Sequence, residues 1–280
     1  MAAIGELAED RIIEGVYAVA RKQRLRTRAG EPYLALELVD PSGRIDARVW
    51  SDVELLDQRF AEGDAVRVLG RVERFRDRLQ LEVRSLETAP DADPEAMAPT
   101  IHRDVDELDG FLDFLIEDIH DEQLAAVVRG LLQANQTRAR LRSLPGTLDT
   151  HHTYSGGLLE HTVSVATICR ELTQLHPRLR ADLLLASALL HDVGRTEELG
   201  PGPSFRPTEE GALLGHVHLG LRMIEPHARR VGAAARAQLL HAVATHHDAR
   251  AARTAEAAVL YHANQLDAVA ATRKTPSAAA

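Results

Sequence analysis

An imidazole and a carboxylate stand side by side at His191-Asp192, where the apolar run Leu183–Leu190 ends. That run is long enough for two helical turns and carries no polar stripe, so it predicts a helix buried on every side. Burying both groups at its end costs on the order of several kcal/mol unless something pairs with them. A metal ion is the partner this pair suggests. The local alternative is that Asp192 caps the turn at Gly194 and His191 is a satisfied core histidine. The distribution of histidine weighs against that alternative, because all but two of the 14 lie between His151 and His262.

The elements that must position such a site can be read in order. In HHTYSGGLLEHTVSVATICREL the pair Gly156-Gly157 breaks the chain and a helix starts near Leu158, with His161 in its first turn and Val165, Ile168, Cys169 and Leu172 on its apolar face. His216 follows in GALLGHVHLGL, His246-His247 in LLHAVATHHD, and Asn264 and Asp267 in YHANQLDAV. Each candidate ligand thus sits in or at the end of a separate apolar helix, and helix packing can bring them together. His152 and Tyr154 occupy the segment leading into the first of these helices. His218, His227, His241 and His262, like His102, His120 and His176, read as solvated or structural. Upstream, Leu108, Phe111, Leu112, Leu115, Ile116 and Ile119, then Leu124, Val127, Val128, Leu131 and Leu132, recur at three- and four-residue spacing, which predicts packing helices.

The chain has 280 residues, 45% of them apolar and 27% charged, as in a soluble protein of one or two domains. Cys169 is the single cysteine, which excludes a disulfide framework and a thiolate-rich zinc site, so nitrogen and oxygen must hold any metal. The opening MAAIGELAEDRIIEG has neither a basic leader nor an apolar core, and no run approaches the roughly 18 apolar residues of a membrane span. A cytoplasmic protein without a membrane partner is expected. The net charge of −9 argues against indiscriminate coating of nucleic acid but leaves room for local basic grooves.

One such groove is legible in the first third. Ile12 to Ala20, Tyr33 to Val39, Arg44 to Trp50, Ala65 to Glu73 and Leu79 to Leu86 alternate apolar and polar residues, with a short helix, Val53 to Phe60, between the third and fourth. That order predicts a small β-barrel of the OB-fold type. Arg21, Lys22, Arg24, Arg26 and Arg28 crowd the connection between the first two strands; Arg71, Arg74, Arg76 and Arg78 crowd that between the last two. OB-folds grip oligonucleotides with these loops, and Tyr33, Trp50 and Phe75 could supply stacking surfaces, although Trp50 is expected in the core. The alternative is a solvated arginine-rich edge that prevents sheet pairing. Thr88 to Thr100, rich in proline, alanine and acid, reads as a spacer, and the terminal TRKTPSAAA as a disordered tail.

The ordered set His161, His191-Asp192, His216, His246-His247 and a late carboxylate resembles the HD superfamily of metal-dependent phosphohydrolases. GGLLEHT, LLHDVGRTEEL, LLGHVHLGLRMIE, THHD and EAAVLYHANQLDA resemble, more narrowly, the YhaM-type 3′-to-5′ exoribonucleases, which join an OB-fold to an HD domain. The resemblance spans residues 11 to 271 or so and implies an OB-fold domain over 1–88, a linker over 89–100, an all-α HD domain over 101–272 and a tail over 273–280. It also implies one metal on His161, His191, Asp192 and the last helix, and a second on Asp192, His216, His246 and His247. Imidazole mixed with carboxylate suits Mn²⁺, Fe²⁺, Co²⁺ or Zn²⁺, with Mn²⁺ the working expectation. Hydroxide would cleave the terminal phosphodiester of single-stranded RNA or DNA to a nucleoside 5′-monophosphate, with Asp192 at the metals and Arg195 reaching a phosphate oxygen. Self-association into a homo-oligomer is a further implication.

Three positions depart from the family pattern. Asn264 stands where the last helix presents a metal-binding aspartate, and Asp267 lies one turn beyond it. Arg195 replaces a lysine. The loop Asp248 to Thr254 is short and lacks a Gly-Ser-Pro stretch. A small-nucleotide phosphohydrolase, or a nucleic-acid-binding protein with a decayed HD site, stays open at this level.

Overall fold

The computed structural model describes residues 2–101 and 103–272; His102 and the expected tail, 273–280, lie outside the described residues. Two compact units divide the chain, one running to Thr100 and the other comprising Ile101–Gly200 and the residues from Pro207 onward; Pro201–Arg206 belong to the first.

In the first unit, strands β1 (Ile12–Arg26), β2 (Pro32–Asp40), β3 (Gly43–Val49), β4 (Ala65–Phe75) and β5 (Arg78–Thr88) close a barrel in the order β1-β2-β3-β5-β4. The short helix α1 (Val53–Asp57) sits between β3 and β4. All pairings are antiparallel except β3 with β5. This is the OB-fold that the alternation predicts. Alternate residues point inward, so Ile13, Leu34, Leu36, Leu38, Val66, Val68 and Leu81 fill the barrel. Tyr17 joins them; its hydroxyl donates to the Ala2 carbonyl at 2.9 Å, and burial together with nearby Asp40 pushes its pKa up to about 12.

Two expectations for this unit are corrected. Strand β1 does not end at Ala20: past a bulge between Val19 and Arg21 it pairs with β2 out to Arg26↔Pro32. Arg21, Lys22, Arg24 and Arg26 are therefore strand residues of a projecting hairpin, and Arg28 alone of that group lies in the turn. Trp50 is not core. It is half exposed, with its ring 4.8 Å from that of Tyr33. The stretch read as a spacer contains a turn of 3-10 helix, Glu95–Met97, and buries Ala98.

The second unit is helical. It comprises α2 (Val105–Glu117), α3 (Glu122–Leu132), α4 (Asn135–Ser143), α5 (Gly157–Leu175), α6 (Ala181–Leu190), α7 (Arg195–Glu198), α8 (Glu209–His227), α9 (Ala233–Thr245) and α10 (Ala255–Thr272). Asp104 and Asp121 cap α2 and α3 through side-chain bonds to backbone N–H groups. Every residue from Leu183 to Leu190 is buried, so α6 is the central helix, with α5, α9, α3 and α10 packed around it. Its C-terminus therefore delivers His191-Asp192 to the middle of the unit. No helix among the described residues is long and apolar enough to cross a membrane.

Candidate metal centre

The same local device ends α6 and α9. His191 and His246 each follow the last helical residue, and each bonds through Nδ1 to the carbonyl three residues back: Ala188 at 2.7 Å and Val243 at 2.6 Å. A carbonyl only accepts, so Nδ1 carries the proton and Nε2 is left with a lone pair. Both imidazoles are fully buried. Burial pushes the pKa of His191 well below the ordinary histidine value, with Asp192 opposing and His246 and His161 adding to the drop.

His161 and His216 reach the same arrangement through carboxylates. His161, in the second turn of α5, places Nδ1 2.6 Å from Asp267 Oδ2. His216 places Nδ1 3.4 Å from Glu198 Oε1, and that oxygen also accepts its backbone N–H at 3.1 Å. Two glycines make this possible. Gly215 interrupts α8 at φ 70, ψ 159, a conformation essentially restricted to glycine, and so re-aims the chain just before His216. Gly194 lets the start of α7 meet α8: a Cβ there would lie 2.0 Å from the His216 carbonyl oxygen and 2.4 Å from the Gly220 nitrogen.

The four Nε2 atoms converge on Asp192. His216 and His246 lie 3.3 Å from Oδ1, while His161 and His191 lie 3.7 Å from Oδ2 and 3.1 Å from each other. His247 adds a fifth imidazole, its Nε2 2.9 Å from that of His216. It is exposed, so the centre opens to solvent on its side. Burial alone would raise the Asp192 pKa, but Arg195, His191 and His216 hold it well below the usual carboxylate range. Burial, with His246 alongside, depresses His247 to about 4. An ionised Asp192 beside the depressed His191 and His247 imidazoles is the state in which such groups bind a divalent ion.

Asp192 Oδ1 and His246 Nε2 test that fit directly, because both are buried and neither has a hydrogen-bond partner. Two buried acceptors facing each other at 3.3 Å are satisfied by a proton or cation between them. Asp192, His216, His246 and His247 form one group able to hold a metal ion; His161, His191 and Asp192 form another. The expected ligands are thus brought together, apart from Asn264. Asn264 is buried nearby, but its Nδ2 donates to the His246 carbonyl at 3.4 Å, which turns its donor end toward the backbone. Arg195 is 11% exposed, with Nε on Asp192 Oδ2 at 2.7 Å and Nη1 on Glu198 at 3.2 Å.

A polar chain behind His161 was only partly visible in the sequence. Asp267 Oδ2 also accepts from His152 Nε2 at 2.9 Å; His152 Nδ1 meets the Tyr154 hydroxyl at 2.8 Å, and that hydroxyl donates to Glu160 at 2.5 Å. Burial works against a charge on His152, yet hydrogen bonds to Asp267 and Glu160 lift its pKa to about 9. Asp267, which burial would raise, is held well below the carboxylate range by His152 and His161. Asp267 shares the buried face of α10 with Ala257, Leu260, Ala263 and Asn264, and that helical spacing is the signal that would have placed it. Glu198, three residues beyond Arg195, had no comparable signal.

In the barrel, the candidate nucleic-acid residues divide. Lys22 is 12% exposed and turned inward, donating to the carbonyls of Asp57 and Phe60 at 2.6 Å each, pairing with Asp57 and lying over the Phe60 ring. Arg24 pairs with Glu54 and Arg74 with Glu9, both at the surface. Arg26 donates to the Gly30 carbonyl. Phe75 is 57% exposed with Arg76 over its ring, and Arg76 and Asp77 form a tight turn of positive φ before Arg78. Tyr33, half-buried, and Trp50, exposed, form an aromatic pair on the β2–β3 side of the barrel.

Comparison with known proteins agrees with both units. Residues 158–269 match the HD domain family, and residues 16–89 match a family described as OB-fold nucleic acid binding domain. Over 251 residues the chain is 30% identical to the 3′-5′ exoribonuclease YhaM of a Geobacillus species, covering 85% of this chain and 76% of that protein. The Oceanobacillus iheyensis protein of the same name is 28% identical over 239 residues, or 84% of this chain and 75% of that one. Among solved structures, the second OB-fold domain of replication protein A from Methanococcus maripaludis is 23% identical, covers 32% of this chain and 96% of that domain, and gives a TM-score of 0.27.

Proposed function

Because the chain belongs to the family of the YhaM 3′-5′ exoribonucleases, we propose that it hydrolyses single-stranded RNA from the 3′ end, releasing nucleoside 5′-monophosphates. The observation that carries this reading is the convergence of four histidine Nε2 atoms on the two oxygens of Asp192. Asp192, His216, His246 and His247 would hold one divalent ion, and His161, His191 and Asp192 a second. Imidazole with carboxylate suits Mn²⁺, Fe²⁺, Co²⁺ or Zn²⁺ alike, and Mn²⁺ is the working choice among them. Such ions supply Lewis acidity for phosphoryl oxygens and make hydroxide accessible near neutral pH.

The protein's own contribution is preorganisation. The Ala188 and Val243 carbonyls, Asp267 and Glu198 fix four imidazoles in one tautomer and orientation before substrate arrives. Arg195 holds Asp192 ionised and in place through Nε. The terminal phosphodiester enters on the open side, at His247. Water adds to phosphorus as the bond to the 3′ oxygen of the preceding nucleotide breaks, and that oxygen leaves with a proton, giving a shortened strand with a new 3′ hydroxyl. The barrel binds the single strand, stacking bases on Tyr33, Trp50 and Phe75 and meeting phosphates with Arg21, Arg24, Arg26, Arg28, Arg74, Arg76 and Arg78.

Chromatography of the products formed from an RNA of defined 3′ end tests this assignment. Nucleoside 5′-monophosphates accumulating from the first turnover are expected. Nucleoside 3′-monophosphates, or internal fragments as the first products, would contradict it.

A further inference from the structure

We infer that the two halves of this metal centre are unequal, with one ion held tightly by Asp192 Oδ1, His216, His246 and His247, and the second held weakly beside His161 and His191 because Asn264 and Arg195 deprive that half of negative charge. The inference rests on the metal-centre reading above and concerns how ions distribute within it.

Three observations carry it. First, the two orphaned buried atoms of this centre, Asp192 Oδ1 and His246 Nε2, belong to the first half, where three imidazoles and one carboxylate oxygen form a complete four-donor set. Leaving these atoms without a cation is costly, so that half has the stronger demand for one. Second, the carboxylate oxygen facing the other half, Asp192 Oδ2, already accepts the Arg195 guanidinium at 2.7 Å. A fixed positive charge on that oxygen repels a cation and occupies one of its two lone pairs. Third, the α10 position at which the family resemblance implies an aspartate ligand for that half carries a neutral amide, Asn264. Asn264 directs Nδ2 at the His246 carbonyl, which an ionised carboxylate in the same place could not do, because a carboxylate only accepts. The carboxylate that α10 does provide, Asp267, binds the far nitrogen of His161, opposite the Nε2 that faces Asp192. Asp267 therefore orients His161 without adding a donor beside Asp192.

The test is a metal titration of the full-length protein, read by elemental analysis after gel filtration and by electron paramagnetic resonance of Mn²⁺. The wild type is expected to retain one equivalent with the spectrum of an isolated ion, the second binding more weakly by at least about tenfold. His247→Ala and His216→Ala lose the retained ion, whereas His161→Ala and the gentler His161→Gln keep it. Asn264→Asp gains a second retained equivalent and the spectrum of a coupled pair. Far-ultraviolet circular dichroism and melting of each variant establish that it is folded.

Two equivalents of equal affinity in the wild type, or an ion lost with His161 but kept without His247, would overturn the inequality while leaving the metal centre intact. A folded wild type that binds none of Mn²⁺, Fe²⁺, Co²⁺ and Zn²⁺ at any concentration would overturn the metal-centre reading itself, and the inequality with it.

Discussion

Asp267 accepts a 2.6 Å hydrogen bond from Nδ1 of His161, and this contact commits the opposite nitrogen, Nε2, to face Asp192. A carboxylate behind a candidate metal-binding histidine fixes its tautomer and raises its basicity. Asp267→Asn keeps the shape and removes the charge. Metal affinity on the His161 side, or kcat/KM on an RNA substrate, should fall by about 10–100-fold. Isothermal titration with Mn²⁺ beside steady-state kinetics measures both; wild-type values in each would show that Asp267 is not needed to position His161.

Gly215 offers a test in which no ligand is changed. Its φ of 70 and ψ of 159 cost a residue with a side chain on the order of 1–3 kcal/mol, although a Cβ there would meet nothing within 4 Å. Gly215→Ala should therefore act through the backbone, either lowering the melting temperature or straightening α8 and withdrawing His216 from Asp192. Retained-metal content distinguishes the two. A variant with both unchanged would mean that the break in α8 carries no strain.

The His152 pair gives a pH dependence of definite sign. Its folded pKa is raised to about 9 against an ordinary histidine value near 6.5, so between these the folded state binds more protons than the unfolded. This stabilisation is complete below roughly pH 6.5 and is lost as pH rises through about 9. The melting temperature of metal-free protein should fall across that window, and His152→Gln should flatten the slope. A wild-type profile as flat as that of the variant would show that His152 is not charged at neutral pH.

In the barrel, exposed aromatic rings and the inward lysine should behave differently. Trp50→Ala and Phe75→Ala should weaken binding of single-stranded RNA by about 1–3 kcal/mol each while leaving the melting temperature nearly unchanged. Lys22→Ala should do the reverse, because its ammonium ties β1 to the Asp57 and Phe60 carbonyls. Fluorescence anisotropy beside thermal melts separates the two effects, and equal loss of binding for Lys22→Ala without loss of stability would place Lys22 on the nucleic acid after all.

Much of this architecture is legible in the chain because each signal has a local cause. Alternating apolar residues mark the barrel strands, and the unbroken run to Leu190 marks the buried helix that carries His191-Asp192. What is not legible depends on partners distant in sequence. The far end of β1 has no apolar period, since residues 23–26 are exposed at successive positions although the strand still pairs with β2 there, Arg24 with Leu34 and Arg26 with Pro32. Trp50 is exposed because it follows the last residue of β3, where the barrel alternation no longer governs. Arg195 has the right charge to reach a phosphate, but Asp192 and Glu198 are closer at hand. Asn264 and Asp267 lie on one buried face of α10, and only the packing of that helix decides which of them meets His161.

The most direct measurement is digestion of a 5′-labelled single-stranded RNA by the purified protein with Mn²⁺, beside a chelator-treated control and Asp192→Ala. The account expects a ladder that shortens from the 3′ end with the wild type and metal, and intact RNA in both controls. Intact RNA in every lane, from a protein that binds the strand and holds metal, would contradict the assignment of this site as a 3′-to-5′ exoribonuclease centre.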